Sequence, residues 1–301
     1  MLFWQSHEDN FQCIAVRERE VSEGKEEKRT NEAILGSNPV KRGEGQPNSM
    51  EVSHGEMIDL DKPSPAEPFN PYEGYKMAKQ LDESIDVFLS RLPPSSISVA
   101  FGPWIWIANP HSRRRPLQQD ITGFKAAGTE LLEEYLARKT DVESRNPDRA
   151  PATITKLLKV SRERLKESIF SLAQSKGLMS GKWMLFASKD NVDDMWFKVA
   201  KATLTGTLGC EAKVATDDDS DKVRPIFIYT EDFTDIDDVK RVLAKLQELG
   251  LVKGEQGIYY KCDAYTYLDI MSGNEYKLRA SLYSSGDLLK QGNLEEHWKW
   301  R

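Results

Sequence analysis

Cysteine is scarce in this chain: 301 residues hold three, Cys13, Cys210 and Cys262, with no C-x-x-C spacing. An odd and scattered set does not make a disulfide framework. Structural zinc needs four ligands, and neither these thiols nor the four histidines (His7, His54, His111 and His297) are grouped to supply them. The sequence also has no apolar run of about 18 residues, the length a spanning helix requires. The apolar start Met1–Trp4 is too short for the apolar region of a signal peptide and runs into acidic residues. Enzyme signatures are missing as well: there is no G-x-S-x-G, Walker loop, G-x-G-x-x-G or H-E-x-x-H. The expectation is a protein with free thiols in a reducing compartment, cytoplasm or nucleus, without metal, cofactor, membrane span or catalytic set.

Charge is unevenly placed. Residues 1–67 carry 8 Lys/Arg against 14 Asp/Glu, while the remaining 234 carry 34 of each sign, so the whole net charge of −6 sits in the first segment. That segment has few large apolar residues between Val16 and Met57 and is rich in Glu, Ser, Gly, Asn and Pro. Such a composition buries too little apolar surface to offset its ordering entropy, and it reads as a disordered acidic tail. The domain expected is 68–285, with 286–301 as a C-terminal tail; the polar run from Ser284 reads as that tail or as a loosely docked helix.

Periodicity sketches the body. Tyr75, Ala78, Leu81, Ile85, Phe88 and Leu92 predict a helix over about 72–91, stopped by Pro93–Pro94. Ser98–Asn109 reads as an aromatic and β-branched strand, and helices are predicted over about 120–140 and 152–176. From Gly181 onward strands and helices alternate: strands over Lys182–Ala187, Cys210–Thr216, Arg224–Thr230 and Ile258–Cys262, with Lys277–Tyr283 as the candidate for a last one. Helices fall over Val192–Leu204 and Thr234–Leu249, the second with acids at its start and Gly250 at its end. This pattern argues for an α+β fold, a mostly antiparallel sheet backed by helices.

The stretches Ser180–Phe186, Gly206–Gly209 with Ala212–Val214, Tyr229–Asp235 and Tyr260–Leu268 resemble the basophilic-leukaemia-expressed protein family, and the chain looks like a fungal-type member. The likeness runs over roughly 99–285. It implies a curved antiparallel sheet backed by helices, similar to the fold of the cap-binding translation initiation factor. Trp183–Phe186 followed by Val192–Trp196 looks like that factor's first strand and first helix. In the factor, the helix tryptophan faces a protein partner, and two tryptophans on loops stack the methylated base. The comparable loops here, Ser188–Asn191 and Asp217–Lys222, carry no aromatic residue, so no cap-contacting residue carries over.

Several constellations have both a functional and a plain reading. Trp104 and Trp106 share a strand face; they would stack a base at about 1–3 kcal/mol each, or simply cover the sheet where helices pack. Arg113, Arg114 and Arg115 follow at once, and Lys156, Lys159, Arg162 and Lys166 line the helix face opposite its leucines. Residues 149–182 hold eight basic and two acidic residues, an electropositive surface for phosphates or an acidic partner, or a solvated helix exterior. Trp196 is a core residue by spacing, or a protein-partner anchor if exposed. Glu231, Asp232, Asp235, Asp237 and Asp238 have enough oxygens for a metal but lack a calcium-loop pattern; helix capping explains most of them. Lys261, Asp263, Tyr265 and Tyr267 alternate along a segment read as extended. On one face they would line a pocket for an anionic ligand, with Lys182 and Lys213 as neighbours, or form a polar network at the sheet edge.

These features favour a non-catalytic binding protein whose ligand is RNA, a nucleotide or an acidic partner. A protein-only adaptor using the Trp196 helix face is the alternative. An enzyme built on Lys261, Tyr265 and Asp232 comes last, and any Ser–His or Cys–His mechanism would have to use His111, the one histidine in the family-like region.

Overall fold

Side-chain alternation along the strands divides the residues of this sheet into two sets, and the helices take one of them. The computed structural model describes residues 67–112, 119–252 and 257–290. The chain divides into two units, Met1–Glu67 and Pro68–Arg301, and the architecture below belongs to the second. The stretch read as an acidic tail, Glu67 excepted, and the Arg113–Arg115 cluster lie outside the described residues. In chain order the elements are α1 (Ile85–Arg91), β1 (Trp104–Ala108), α2 (Ile121–Ser144), α3 (Pro151–Leu157), α4 (Lys159–Ser175) and β2 (Gly181–Ala187). Then come α5 (Val192–Leu204), β3 (Glu211–Ala215), β4 (Arg224–Thr230), α6 (Ile236–Glu248), β5 (Tyr259–Cys262), α7 (Asp263–Tyr267), β6 (Tyr283–Ser284) and α8 (Ser285–Lys290).

The six strands form one open sheet in the order β1-β3-β4-β2-β5-β6, antiparallel throughout. Register pairs Trp183 with Ile228 and Tyr260, and Ile228 with Ala212. Residues two apart point the same way, so Ile105, Ile107, Ala212, Val214, Trp183, Leu185, Ile226, Ile228, Tyr260 and Cys262 share one face. All belong to the buried core, where they meet the helices. Each helix presents a stripe of matching period: Phe124, Gly128, Leu132 and Tyr135 on α2, Leu165, Ile169 and Ala173 on α4, Val192, Trp196, Val199 and Thr203 on α5, and Val239, Val242, Leu243 and Leu246 on α6. Asp120 caps α2 by accepting from Gly123 N, and Asp235 caps α6 by accepting from Asp238 N. The architecture is the α+β, helix-backed antiparallel sheet expected from the sequence.

Four elements differ from their sequence-based expectation. The helix expected over 72–91 forms only from Ile85, where Ser84 accepts from Val87 N. Before it, the chain lies along the edge of β1: Trp106 N donates to Met77 O at 2.9 Å and Lys79 N to Trp106 O at 3.1 Å. An exposed edge strand offers backbone partners that outcompete a helical turn, and Gln80 Nε2 donates to the carbonyls of Tyr75 and Ala78. The helix expected over 152–176 breaks at Leu158, whose ψ of −2° ends α3 and starts α4. The segment from Asp263 to Tyr267 is a turn of helix rather than a strand. The last strand is Tyr283–Ser284 rather than Lys277–Tyr283; the helix after it, 285–290, is one of the two forms expected for the C-terminal run.

Arg224, 1 % exposed, clasps the acidic turn between β3 and β4. It pairs with Asp217, and with Asp218 at 3.2 Å; Lys189 Nζ reaches Asp217 at 3.2 Å. Burial works to raise the Asp217 carboxyl, but the Lys189 hydrogen bond and the Arg224 charge outweigh it and hold the group below the usual carboxylate range. A folded carboxyl that ionises below its unfolded counterpart stabilises the protein above about pH 4 and loses that contribution as pH falls through its folded value. Urea unfolding measured between neutral pH and strongly acidic pH should therefore show a steeper acid loss for the parent than for Asp217→Asn; parallel curves would contradict the clasp.

Packing is close where β4 passes the turn before β3. A Cβ on Gly209 would stand 2.3 Å from Tyr229 O, a backbone atom that cannot swing away. Gly209→Ala should cost about 1–3 kcal/mol, read as a lowered urea midpoint with unchanged slope.

Candidate functional site

The sheet face turned away from the helix-packed core is chemically unusual. Two adjoining rows run across it by register: Trp106, Lys213, Phe227, Met184 and Tyr259, and beside them Ala108, Glu211, Tyr229, Lys182 and Lys261. Trp104 stands in the next row, beside Ala215. A sheet face that served only as filler would be apolar or solvated; this one alternates aromatic rings with lysines. Its centre is closed: Lys213 is 2 %, Lys182 3 %, Trp104 2 % and Tyr229 1 % exposed, whereas Phe186 and Tyr259 at one side are about half open.

The Lys213 ammonium lies 4.1 Å from the ring centre of Trp104, 4.7 Å from Trp106, 5.5 Å from Phe227 and 5.8 Å from Tyr229. Four ring faces therefore carry the negative quadrupole potential that a desolvated cation needs. Lys182 lies over Phe227 and Tyr229 at 5.2 and 5.4 Å and pairs with Asp263 Oδ1 at 3.2 Å. Ser180 Oγ donates to the other oxygen of that carboxylate. Tyr72 packs against Trp106 with ring centres 4.8 Å apart and planes tilted by 35°, and donates to Glu211 Oε2 at 2.7 Å, seating the segment before α1 on the tryptophan corner.

The sequence nominated Lys182, Lys213, Lys261 and Asp263 as parts of one group and Trp104 and Trp106 as another, and the structure places all six here. Two details are corrected. The tryptophans do not cover the side where helices pack; their neighbours Ile105 and Ile107 do, and the indoles are buried on the opposite face rather than displayed as an open stacking platform. The face shared by Lys261, Asp263, Tyr265 and Tyr267 does not exist, because α7 breaks the alternation. Tyr265 instead packs on Phe170 of α4 at 5.4 Å within the helix-side core, and Tyr267 joins the same core. Lys261 and Tyr265 are thus not juxtaposed, which removes the grouping on which the enzyme alternative rested. Glu211, Ser180, Tyr72, Phe227 and Tyr229 were missed; a strand register would have placed all but Ser180 and Tyr72.

Trp196 is fully buried against Phe88, with ring centres 6.5 Å apart. It is a core residue, so the partner-anchor role considered for it is overturned. His111 is exposed, and its backbone N donates to Asn109. Burial pushes the Cys262 thiol up to about 12 and raises Cys210 well above its ordinary value, so neither is a thiolate at neutral pH. In the acidic junction after β4, Asp232 accepts from Thr234, Asp235 caps α6 and Asp238 pairs with Arg241 at 2.8 Å. Among the described residues no group of His, Cys, Asp and Glu is arranged to hold a metal, and no helix is long and apolar enough to cross a membrane.

The electropositive surface is smaller and more sharply placed than composition suggested. Of the basic residues in 149–182, Lys182 belongs to the sheet face and Lys176 pairs with Asp120 at 2.6 Å. Lys156, Lys159 and Arg164 are exposed on α3 and α4, Arg149 precedes them, and Arg162 and Lys166 are half-buried. Among the described residues, the side chains of Arg149, Lys156, Lys159 and Arg164 make no ion pair.

Residues 2–269 match the family described as basophilic leukemia-expressed protein Bles03. The chain belongs to that family. The match begins well before the expected residue 99 and ends before 285, so the stretch read as a tail falls within the family's span. Among solved structures, the chain is similar to Ascaris suum eIF4E-3 in complex with m2,2,7G cap, at 16 % identity and a TM-score of 0.28, covering 36 % of this chain and 59 % of that one. It is also similar to C. elegans eIF4E-3 in complex with the 4E-binding protein Mextli and cap analog, at 19 % identity and a TM-score of 0.25, covering 29 % and 52 %. The chain thus spans little more than half the length of those proteins.

The Lys182–Asp263 pair yields a stability test. Removing one member of a buried pair costs about 3–5 kcal/mol, whereas replacing both with apolar residues is far milder. Asp263→Asn should lower unfolding free energy by that order, and Lys182→Met with Asp263→Leu should recover most of it. A single variant as stable as the parent would show that the pair contributes nothing.

Proposed function

We propose that this protein is a non-catalytic binding protein of the cytoplasm or nucleus whose ligand is anionic, RNA or a nucleotide, engaged through the basic face of α3 and α4. The observation that supports this reading is the contrast between two sets of cations. Those on the sheet face are enclosed: Lys213 is surrounded by four rings and Lys182 is paired with Asp263. Lys156, Lys159 and Arg164 on α3 and α4, and Arg149 just before them, are exposed and without an ion pair among the described residues. A ligand that brings its own cation to the sheet, as a methylated base would, meets an aromatic site already filled by Lys213. A phosphate-bearing ligand meets open charge on the helices instead.

Phosphate contacts release counterions, so affinity for a single-stranded RNA should fall linearly with the logarithm of salt concentration, by about 0.7 per contact. The double charge reversal Lys156→Glu with Lys159→Glu should weaken binding and flatten that slope by about 1.4. Both side chains are exposed, so the fold should be unaffected, which circular dichroism checks. Binding with no salt dependence, or a slope untouched by the reversal, would remove this surface from consideration.

A further inference from the structure

A cavity lies away from the sheet, where the end of α2, the loop before α3 and the turn at 274–278 converge. Its volume is about 300 Å³, at the small end of the range of about 300–1,000 Å³ typical of small-molecule sites. Ile154 and Leu158, both buried, make an apolar floor, and Pro147 and Pro151 supply flat, rigid walls. Around this apolar base stand four cations, Lys139, Arg149, Arg162 and Lys277, against two carboxylates, Glu143 and Glu275.

The cations are held by separate devices. Arg162 reaches in from α4 to hydrogen-bond the buried Tyr135 of α2, whose ring meets Tyr276 edge-on at 6.3 Å. Lys277 adopts a φ of +55°, a left-handed conformation uncommon for a residue with a side chain. Asn274 fixes it there: its side chain donates to the carbonyls of Met271 and Leu278, both at 2.7 Å, and accepts from Leu278 N at 3.1 Å. Lys139 Nζ donates to Glu275 O, tying that turn to α2. Asn146, also on the lining, donates to Val142 O at 2.8 Å, which fixes its amide. A strained backbone braced by its neighbours, at the rim of a cavity, places a charge where solvent alone would not require one.

We propose that this cavity is a binding site for a nucleoside monophosphate group, the planar base lying over the apolar floor and prolines and the phosphate meeting the cationic rim. The proposal deepens the reading of the α3–α4 face as an anion-binding surface and rests on it, since Arg149 and Arg162 belong to both. Charge and shape together select the ligand class. An inorganic anion would leave the apolar floor uncovered, an uncharged aromatic would leave the cations unused, and Glu143 and Glu275 are placed as acceptors for amino groups on a base edge. The same chemistry has two sources, a free mononucleotide and the phosphorylated end of an RNA strand.

Calorimetric titration of the full chain with GMP, AMP, guanosine and inorganic phosphate tests it. The nucleotides should bind saturably, while guanosine and phosphate alone bind at least tenfold more weakly. Lys277→Glu with Arg149→Glu, both exposed, should weaken GMP at least tenfold without changing the melting temperature, and Arg162→Gln should weaken it as well. Competition by one oligoribonucleotide in 5′-phosphorylated and 5′-hydroxyl forms separates the sources: stronger displacement of GMP by the phosphorylated form assigns the strand end, and equal displacement assigns the free nucleotide. No saturable GMP binding at millimolar concentration overturns the proposal, as does GMP binding indifferent to the charge reversals. If RNA still binds with a salt slope when GMP does not, the cavity reading alone has failed; if neither binds, the wider reading falls with it.

Discussion

The burial of lysines on a β-sheet is the constraint around which the rest of this structure is arranged. Taking an ammonium out of water costs several kcal/mol even after relaxation, and the cost must be met where the charge ends up. For Lys213 the counterweight is four aromatic rings within 6 Å, each contributing about 0.5–2 kcal/mol when desolvated. For Lys182 it is two of the same rings and the Asp263 carboxylate. Neither arrangement tolerates a register change. Slipping β3 by one residue would drive Lys213 into the layer that Ala212 and Val214 now share with α5 and exchange its aromatic neighbours for aliphatic ones. Strand pairing, helix packing and charge placement are therefore one solution rather than three.

That solution has a functional corollary. Aromatic faces gathered around a cation site attract cations, and here the chain satisfies its own attraction. The ring faces are taken up by Lys213, and Tyr72 packs against Trp106 as well. What the protein offers to solution is charge of the other kind of use: lysines and arginines on α3 and α4 whose heads remain hydrated. Cations of this sort contribute little to stability, since exposed pairs are worth about 0–1 kcal/mol even when formed. Their clustering on one short helix pair thus has no stabilising purpose to explain it.

Much of the architecture was legible because burial leaves periodic traces. The stripe on α5, from Val192 through Trp196 and Val199 to Thr203, reads directly as a helix packed on one side, and β2, β3 and β4 read as strands between turn residues. Two of the failures share one cause: a contact distant in sequence overrode a local pattern. Tyr75, Ala78 and Leu81 repeat at helical spacing, yet the free edge of β1 claims that backbone. Lys261 through Tyr267 alternate as a strand would, yet the chain turns into helix after Cys262, where Asp263 N donates to Ser180 O. A two-residue period and a one-turn helix cannot be told apart over five residues.

The sheet site was half legible for the same reason. Trp104, Trp106, Lys182, Lys213, Lys261 and Asp263 could be nominated by residue type, but which rings face which lysine depends on register across four strands. The cavity by α2 was not legible at all. Tyr135 carries the signature of a core residue, Lys139 and Lys277 that of solvated surface, and nothing in spacing links position 139 to 277. Only the turn held by Asn274 brings them together, and a turn of that kind is recognised by the backbone conformation it imposes on Lys277. Buried cations therefore tell how this fold is held. The turn held by Asn274 sets the backbone of Lys277 and leaves its side chain exposed, so the charge stands at the cavity rim at some conformational cost.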